Sequence, residues 1–338
     1  MGTFEGVNTM YRIYGINPND LTESEINNLY YVNEVLENKY NFLHRLNNVN
    51  DYKNLFLSSF TNTDNQLLLI KKASETCGIL TLIKTFDWNG NEQHKLTISL
   101  CDLVIDEALV SFIDEVIKNK LDKYNELSVV TYNNELKQII EKYTHKVALR
   151  GNYYTLNKSD IDVSLLNRYI EEQETKNADL SIRFTDIISE DLIEEYCNLF
   201  METMEDMTDV KEDGYVQYVI TPEKQRQINE SNKIRNLSHF CYMIFNSNNE
   251  LVAKSNVSIN NNDPRFPYQF MIGVKRPYRG RNLGKWLYAS MYKRLFETVS
   301  FEKALVCHHP DNIPAINVSK WVGYKFIYLE TIYNLYKH

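Results

Sequence analysis

Residues 274–286 read VKRPYRGRNLGKW. Five cations (Lys275, Arg276, Arg279, Arg281, Lys285) fall within this stretch, in a chain of formal net charge -8. The residues before it, Phe270-Met271-Ile272-Gly273-Val274, form an apolar run that reads as a buried strand. After it, Leu283, Leu287, Met291 and Leu295 recur every fourth residue and read as one face of a helix. The cations and glycines therefore sit on a strand-to-helix turn. A helix N-terminus presents unpaired backbone N–H groups and partial positive charge, which attract phosphate. Gly280 and Gly284 lack a Cβ, so an anion could approach the backbone closely there. Asn282 is a candidate N-cap.

The order of residues narrows this generic turn. Arg279-Gly280-Arg281-Asn282-Leu283-Gly284 resembles the (Gln/Arg)-x-x-Gly-x-(Gly/Ala) signature of the GNAT acyltransferase superfamily, with Asn282 in place of the first glycine. Asn tolerates the left-handed backbone that such a glycine adopts. A Walker A loop is excluded because the GKS/GKT tail is missing, and a dinucleotide fingerprint because GxGxxG is missing. A second element lies downstream. Asn312-x-x-Ala315-x-x-Val318-x-x-x-Val322-Gly323-Tyr324 resembles the superfamily's Asn-x-x-Ala-x-x-Leu-Tyr-x-x-Leu-Gly-Phe, with Ser319 at the usual tyrosine position. A serine hydroxyl is a far weaker acid than a phenol, so the thiolate-protonating role of that tyrosine does not pass simply to Ser319.

The chain has 338 residues, which makes two domains the natural expectation. Hydrophobic residues at 43% and aromatic residues at 12% suffice for two packed cores. The acidic balance argues against general nucleic-acid binding. The sequence contains no uninterrupted apolar run of membrane-spanning length, and its first residues lack a signal-peptide layout. Five cysteines (Cys77, Cys101, Cys197, Cys241, Cys307) are scattered without CxxC spacing and read as free thiols of a reducing cytoplasm.

Thr22-x-x-Glu25 is a capping-box pattern opening a helix to about Tyr40. Strands are expected at Gln66–Ile70, Gly78–Phe86 and Leu96–Val104, the last two joined by Trp88-Asn89-Gly90-Asn91. A helix (Ala108–Tyr124), a strand (Leu127–Thr131), a helix (Leu136–Tyr143) and a strand (Arg150–Leu156) complete the first half. The second half repeats this order. Strands Leu180–Phe184, Phe240–Phe245, Leu251–Val257 and Tyr268–Val274 lead into the basic turn, and strand Ala304–His308, a helix from Asn312 and strands Tyr324–Tyr328 and Thr331–Tyr336 follow it. In the first copy the corresponding turn is Leu103-Val104-Ile105-Asp106-Glu107-Ala108, with two carboxylates and no cation, which would repel a pyrophosphate.

The expected architecture is thus an α/β (α+β) chain of two tandem GNAT-like domains, each a mixed, mostly antiparallel sheet flanked by helices. Residues 1–160 form a degenerate copy, 161–179 a linker, and 180–338 the acyl-CoA-binding copy. The arrangement is most similar to the tandem-domain branch that includes mycothiol synthase.

The resemblance implies acyl transfer from acetyl-CoA, as cosubstrate, to an amine of a small molecule or peptide. No metal is expected, because His308 and His309 would diverge on a strand; the charge balance and the lack of a long apolar run predict no nucleic acid and no membrane, and a monomer or homodimer is expected. The resemblance places coenzyme A along Ile272, Gly273 and Val274, with Arg279, Gly280, Arg281, Asn282, Leu283, Gly284 and Lys285 on the pyrophosphate and Asn312 near the pantetheine arm. An amine must lose a proton, which calls for a base. His308 at the end of a strand, with a reference pKa suited to the task, and Glu202 are the candidates. Ser319 would orient a water or the thiol. Glu202, Glu205 and Asp206 read either as a solvated helix end or as an acidic wall receiving a cationic amine. A non-catalytic acyl-CoA sensor and an aminoacyl-tRNA-dependent peptidyltransferase are the competing readings. The intact basic loop and the acidic balance count against the latter.

Overall fold

The computed structural model describes residues 3–4, 10–40, 49–60, 64–86, 92–101, 106–131, 134–207 and 212–337. The chain divides into two compact units. Unit 1 comprises Met1–Arg150, Lys211–Val216 and Tyr328–His338, and unit 2 comprises Gly151–Val210 and Gln217–Ile327.

In unit 1, strands β1 (Thr3–Phe4), β2 (Tyr11–Ile16), β3 (Gln66–Lys72), β4 (Glu75–Phe86), β5 (Glu92–Leu100) and β6 (Glu126–Thr131) lie side by side in that order. Neighbours are antiparallel except β5 and β6, which run parallel. The two-residue alternation of β4 sends its side chains to opposite faces. Leu80 and Leu82 join a core with helices α3 (Glu107–Tyr124) and α4 (Asn134–Ile140). Ile79 joins one with α1 (Glu23–Tyr40), the short α2 (Val49–Asp51) and the turns after it. The capping box that opens α1 is formed: Thr22 N–H donates to Glu25 Oε2 at 2.9 Å and Glu25 N–H donates to Thr22 Oγ1 at 3.3 Å. Strand β2 has no counterpart in the sequence reading. The turn expected at Trp88–Asn91 lies outside the described residues, as do Leu103, Val104 and Ile105 of the degenerate turn.

Unit 2 repeats the plan. Strands β8 (Ser181–Thr185), β9 (Leu237–Phe245), β10 (Leu251–Asn260) and β11 (Asp263–Val274) are antiparallel neighbours, and β11 runs parallel to β12 (Lys303–His308). Helices α6 (Ile193–Glu205) and α7 (Pro222–Ile234) cover one face, with Cys197, Leu199, Ile220 and Met243 in their core. The other face carries α5 (Val163–Lys176), α8 (Leu283–Thr298) and α9 (Ile313–Val322). Helix α8 buries Leu283, Leu287, Met291 and Leu295, and also Trp286, Tyr288 and Tyr292, so it is enclosed on more than one side.

Two sequence-based boundaries need correction. The stretch read as a linker is part of unit 2: Leu166 of α5 is buried in its core and Tyr169 packs on Trp321 with ring centroids 4.5 Å apart. The closing strands are also exchanged. Strand β7 (His145–Asn157) leaves unit 1 at Arg150, and its residues 152–157 pair antiparallel with β12 in unit 2. Strand β13 (Lys325–Tyr336), a single strand where two were expected, returns to unit 1, and Thr331–Tyr336 pair antiparallel with β6. The cause is burial. Tyr333 and Leu335 fill the core beneath α3 and α4, whereas Tyr154 and Leu156 fill the core beneath α8. Each sheet is completed by a strand from the opposite half of the sequence.

Leu335 is fully buried. Leu335→Ala is therefore expected to cost about 2–5 kcal/mol and, although it lies near the C-terminus, to loosen unit 1. Amide hydrogen exchange should accelerate in β6 and stay unchanged in β12; the reverse pattern would contradict the strand exchange.

Candidate functional site

The site begins where two parallel strands part. β11 and β12 pair only at Tyr268 with Leu305 and at Gln269 with Val306. Just past that point β11 takes in an extra residue. The step from Val257 to Ser255 on β10 is matched by the longer step from Gln269 to Ile272, which makes a bulge at Phe270–Met271. Beyond it β11 stays with β10 through Val274, while β12 continues to His308 on its other neighbour, β7. Among the described residues the β11–β12 ladder ends there, leaving a wedge edged by Ile272, Gly273 and Val274.

The strand then enters the basic turn. Gly280 (φ 82) and Asn282 (φ 60, ψ 20) both hold the left-handed conformation. A Cβ on Gly280 would meet nothing within 4 Å, so backbone conformation and not space calls for glycine there. Asn282 sits at the N-cap of α8, but its side chain makes no capping bond; its carbonyl accepts from Trp286 N–H at 3.1 Å. Gly284 is held by packing: a Cβ there would lie 3.3 Å from Ile272 Cδ1. Asn312 caps α9, its Oδ1 accepting from Ala315 N–H at 3.3 Å.

Four of the five cations of the turn are paired with carboxylates. Arg276 donates to both Asp206 oxygens and to Glu205 Oε2, and its backbone N–H donates to Glu202 Oε1 at 2.9 Å. Arg279 donates to the Val274 carbonyl at 3.0 Å and to Asp206 Oδ2 at 2.6 Å. Arg281 is gripped by Asp179 and by Asn177 Oδ1, and Lys275 lies 3.9 Å from Glu195. Lys285 lies over the Trp321 ring. The paired guanidiniums hold the Asp206 carboxyl down at about 2. The acidic run at the end of α6 is thus not a free wall for an incoming amine: Glu205 and Asp206 pair with guanidiniums of the turn, and Glu202 accepts from the Arg276 backbone N–H. Thr208 and Asp209 lie outside the described residues. Asp179 and Asn177, which bind Arg281, carry no signal in the sequence, because no local pattern links them to a turn 102 and 104 residues away.

His308 and Ser319 meet, as neither motif alone would indicate. His308 Nε2 and Ser319 Oγ share a hydrogen bond of 2.7 Å, and Ser319 Oγ lies 3.3 Å from Tyr288 OH. All three side chains are buried. Burial pushes His308 down to about 4, so the expectation of a base poised near neutrality is corrected. A second buried chain runs alongside: Tyr324 OH and Tyr292 OH are 2.6 Å apart, Tyr292 donates to Gln269 Oε1, and Gln269 Nε2 donates to Ser255 Oγ and the Asn256 carbonyl. On the opposite face Lys254 is fully buried, pushed down to about 8 by burial, with Nζ 4.1 Å from the Tyr196 ring centroid and 4.6 Å from that of Phe200. Among the described residues no cluster of three or more His, Cys, Asp or Glu side chains is placed to hold a metal, and no helix is long and apolar enough to cross a membrane.

The turn of unit 1 is built differently. Asp106 caps α3, its Oδ1 accepting from Leu109 N–H at 2.8 Å, while Oδ2 accepts from Tyr11 OH and Lys72 Nζ. A carboxylate already occupies that helix N-terminus.

Residues 195–324 match the acetyltransferase (GNAT) family. No curated protein matches the sequence. Among solved structures, a tandem GNAT protein from the clavulanic acid biosynthesis pathway is similar at 12% identity and TM-score 0.56, with 96% of this chain and 98% of that one covered. A GCN5-related N-acetyltransferase from Sphaerobacter thermophilus is similar at 8% identity and TM-score 0.60, with 96% and 95% covered. A glucosamine N-acetyltransferase region of a fungal multi-domain GH3 β-N-acetylglucosaminidase aligns at 10% identity and TM-score 0.58, covering 98% of this chain and 39% of that one. At such identities the likeness is one of fold.

Two outcomes follow from the packing. A Cβ on Gly273 would lie 2.3 Å from Thr203 Oγ1 of α6. Gly273→Ala should destabilise unit 2 by about 1–3 kcal/mol, and Thr203→Ala in the same chain should restore most of it; an additive double variant in denaturant unfolding would show that the contact is not the cause. His308 should also make stability depend on pH. Unfolded histidine binds a proton near its ordinary pKa of about 6.5, and the native one only near 4. Stability is therefore complete above about 6.5 and falls, by up to roughly 3 kcal/mol, as pH drops towards 4. Urea unfolding across that window should show a shallower slope for His308→Gln, and an identical slope would contradict the burial.

Proposed function

We propose that this tandem protein of the GNAT superfamily transfers an acetyl group from acetyl-CoA to a primary amine of a small molecule or peptide, using unit 2. The observation that carries the proposal is the parting of β11 from β12 directly before a left-handed, glycine-containing turn at the N-terminus of α8. The parted strand offers backbone groups to an extended amide chain, and the turn offers helix N–H groups and cations to a diphosphate. The family match to residues 195–324 supports acyl-CoA-dependent acyl transfer as the general chemistry.

In this proposal Gly280, Arg281, Asn282, Leu283, Gly284 and Lys285 hold the diphosphate, with Arg279 swinging to it from Asp206. Ile272, Gly273 and Val274 line the pantetheine, and a backbone N–H in that strand stabilises the oxyanion of the tetrahedral intermediate. The Val274 carbonyl already accepts from Arg279, so that bond must exchange when the cofactor binds. Asn312 acts from its cap on α9, next to the thioester end. Attack by the amine forms the new C–N bond, collapse of the intermediate expels the coenzyme A thiolate, and the ammonium proton passes to solvent or to the thiolate. His308, neutral at pH 7, and Ser319 orient this end of the wedge and accept the proton only in passing, because a group at about 4 is a weak base. Glu202, engaged with the Arg276 N–H, is the lesser candidate for that role.

A second reading is an acyl-CoA-binding protein without turnover. It draws on the complete burial of Ser319, which leaves no exposed hydroxyl at the motif position.

The test is titration calorimetry with acetyl-CoA, followed by thiol release with an amine panel. One site per chain is expected, since Asp106 fills the equivalent helix end of unit 1. An alkylamine has a pKa of about 10.4, so kcat/KM should climb with pH into the alkaline range, following the free amine. An inflection between 6 and 7 belonging to the enzyme would assign the base to a different group. Two sites per chain would refute the assignment to unit 2 alone, and binding without thiol release from any amine would favour the second reading.

A further inference from the structure

The basic turn is almost neutralised by α6, which faces it, and by Asp179, which precedes β8. Of its five cations, Lys275, Arg276, Arg279 and Arg281 each have a carboxylate within 4 Å, contributed by Glu195, Glu205, Asp206 and Asp179. Three carboxylates, Glu202, Glu205 and Asp206, come from the last turn of α6 and its cap. That end of the helix also carries the partial negative charge of its unpaired carbonyls. Asp206 is the hub, bound to Arg276 through both oxygens and to Arg279 through Oδ2. A diphosphate entering the turn brings at least two negative charges to the guanidiniums that Asp206 now holds. The two sets of anions cannot share them without strong repulsion.

The same end of α6 touches the strand that borders the wedge. Thr203 packs so closely on Gly273 of β11 that no side chain fits between them. Arg279, held by Asp206, also holds the Val274 carbonyl. A change at Asp206 is therefore passed to two positions of β11 by direct contact.

We propose that the C-terminal end of α6 is an electrostatic latch on the cofactor site: Asp206, assisted by Glu205, closes over Arg276 and Arg279, and the diphosphate of the acyl donor opens it by taking over the guanidiniums. The inference rests on the assignment of the turn to coenzyme A. The bonds suit the role. They are half-exposed ion pairs, individually weak in water and salt-screened, so a multivalent phosphate can displace them. Opening frees the end of α6 and the Val274 carbonyl together, which places donor binding before full assembly of the wedge. By linkage, whatever loosens the latch must tighten donor binding by the same factor.

The experiment compares the parent chain with Asp206→Asn and Asp206→Glu, using coenzyme A as the probe in calorimetry and hydrogen exchange at residues 199–206. Asp206→Asn keeps the shape and removes the charge. It should bind coenzyme A roughly three- to tenfold more tightly than the parent, the range expected for releasing two exposed pairs, and Asp206→Glu should bind like the parent. Coenzyme A should speed exchange at the end of α6 in the parent, whereas Asp206→Asn should exchange fast without it. Glu205→Gln, farther from the hub, should move affinity the same way by a smaller factor. Unchanged or weaker binding by Asp206→Asn would overturn the latch, since Asp206 would then be a support that orients Arg279 for the phosphate. If the parent and both variants all fail to bind coenzyme A, the assignment of the turn falls and takes the latch with it.

Discussion

Everything about the site depends on two strands that stop pairing. A buried sheet normally satisfies each backbone N–H and C=O from its neighbours. β11 gives this up on one side after Gln269, and the bulge at Phe270–Met271 makes the departure possible. The bulge swings the strand while preserving its ladder to β10, so the wedge costs only one edge. The sheet tolerates the loss because β12 is paired on its far side by β7. Had β7 stayed in unit 1, β12 would be bordered only by a strand that diverges from it. The exchange of closing strands and the opening of the wedge are, in this sense, one structural decision.

Charge is the second constraint. A chain of net charge -8 carries its main basic cluster on a single turn, and a bare cluster of this kind would repel itself. The fold answers by directing carboxylates from α6 and from the segment before β8 onto it. The burden of desolvation is small, because these groups are only half-buried. It is larger on the opposite face, where Lys254 is wholly enclosed and has aromatic faces in place of a carboxylate. Cation–π contact offsets part of what that lysine loses in water, and desolvation by burial lowers its pKa.

What could be read in the sequence was local. The capping box at Thr22, the four-residue spacing along α8, the glycine after α9 and the conformation demanded of Asn282 are all set by neighbours within a few positions, and sequence order displays them. The partners of the turn were not legible in the same way. Asp206 looked like part of an acidic run, and nothing nearby tied it to Arg279, 73 residues on. His308 was recognisable as the end of a strand, but its depth was not: burial depends on Ser319 and Tyr288 arriving from two helices. The strand exchange was hidden for a related reason. Thr331–Tyr336 reads as a strand from its β-branched and aromatic residues, and that composition does not say which sheet receives it.

The two units build the same point of the fold in different ways. Both follow a strand, both open a long helix beneath a sheet, and both place a polar residue at the N-cap. In unit 1 that residue is Asp106, whose carboxylate satisfies the Leu109 N–H and draws in Tyr11 and Lys72. The helix end is then complete, and its charge is compensated from within. In unit 2 the residue is Asn282 in a left-handed conformation, a geometry that turns its side chain away from capping. Arg276 and Arg279, beside the first turn of α8, are balanced by a carboxylate on another helix, not by one fixed in the cap. A charge in the cap belongs to the fold, and losing it costs about 0.5–2 kcal/mol of stability. A charge on a neighbouring helix can be exchanged. The side chain at one position thus decides whether the helix end carries its own compensating charge or takes it from a neighbouring element.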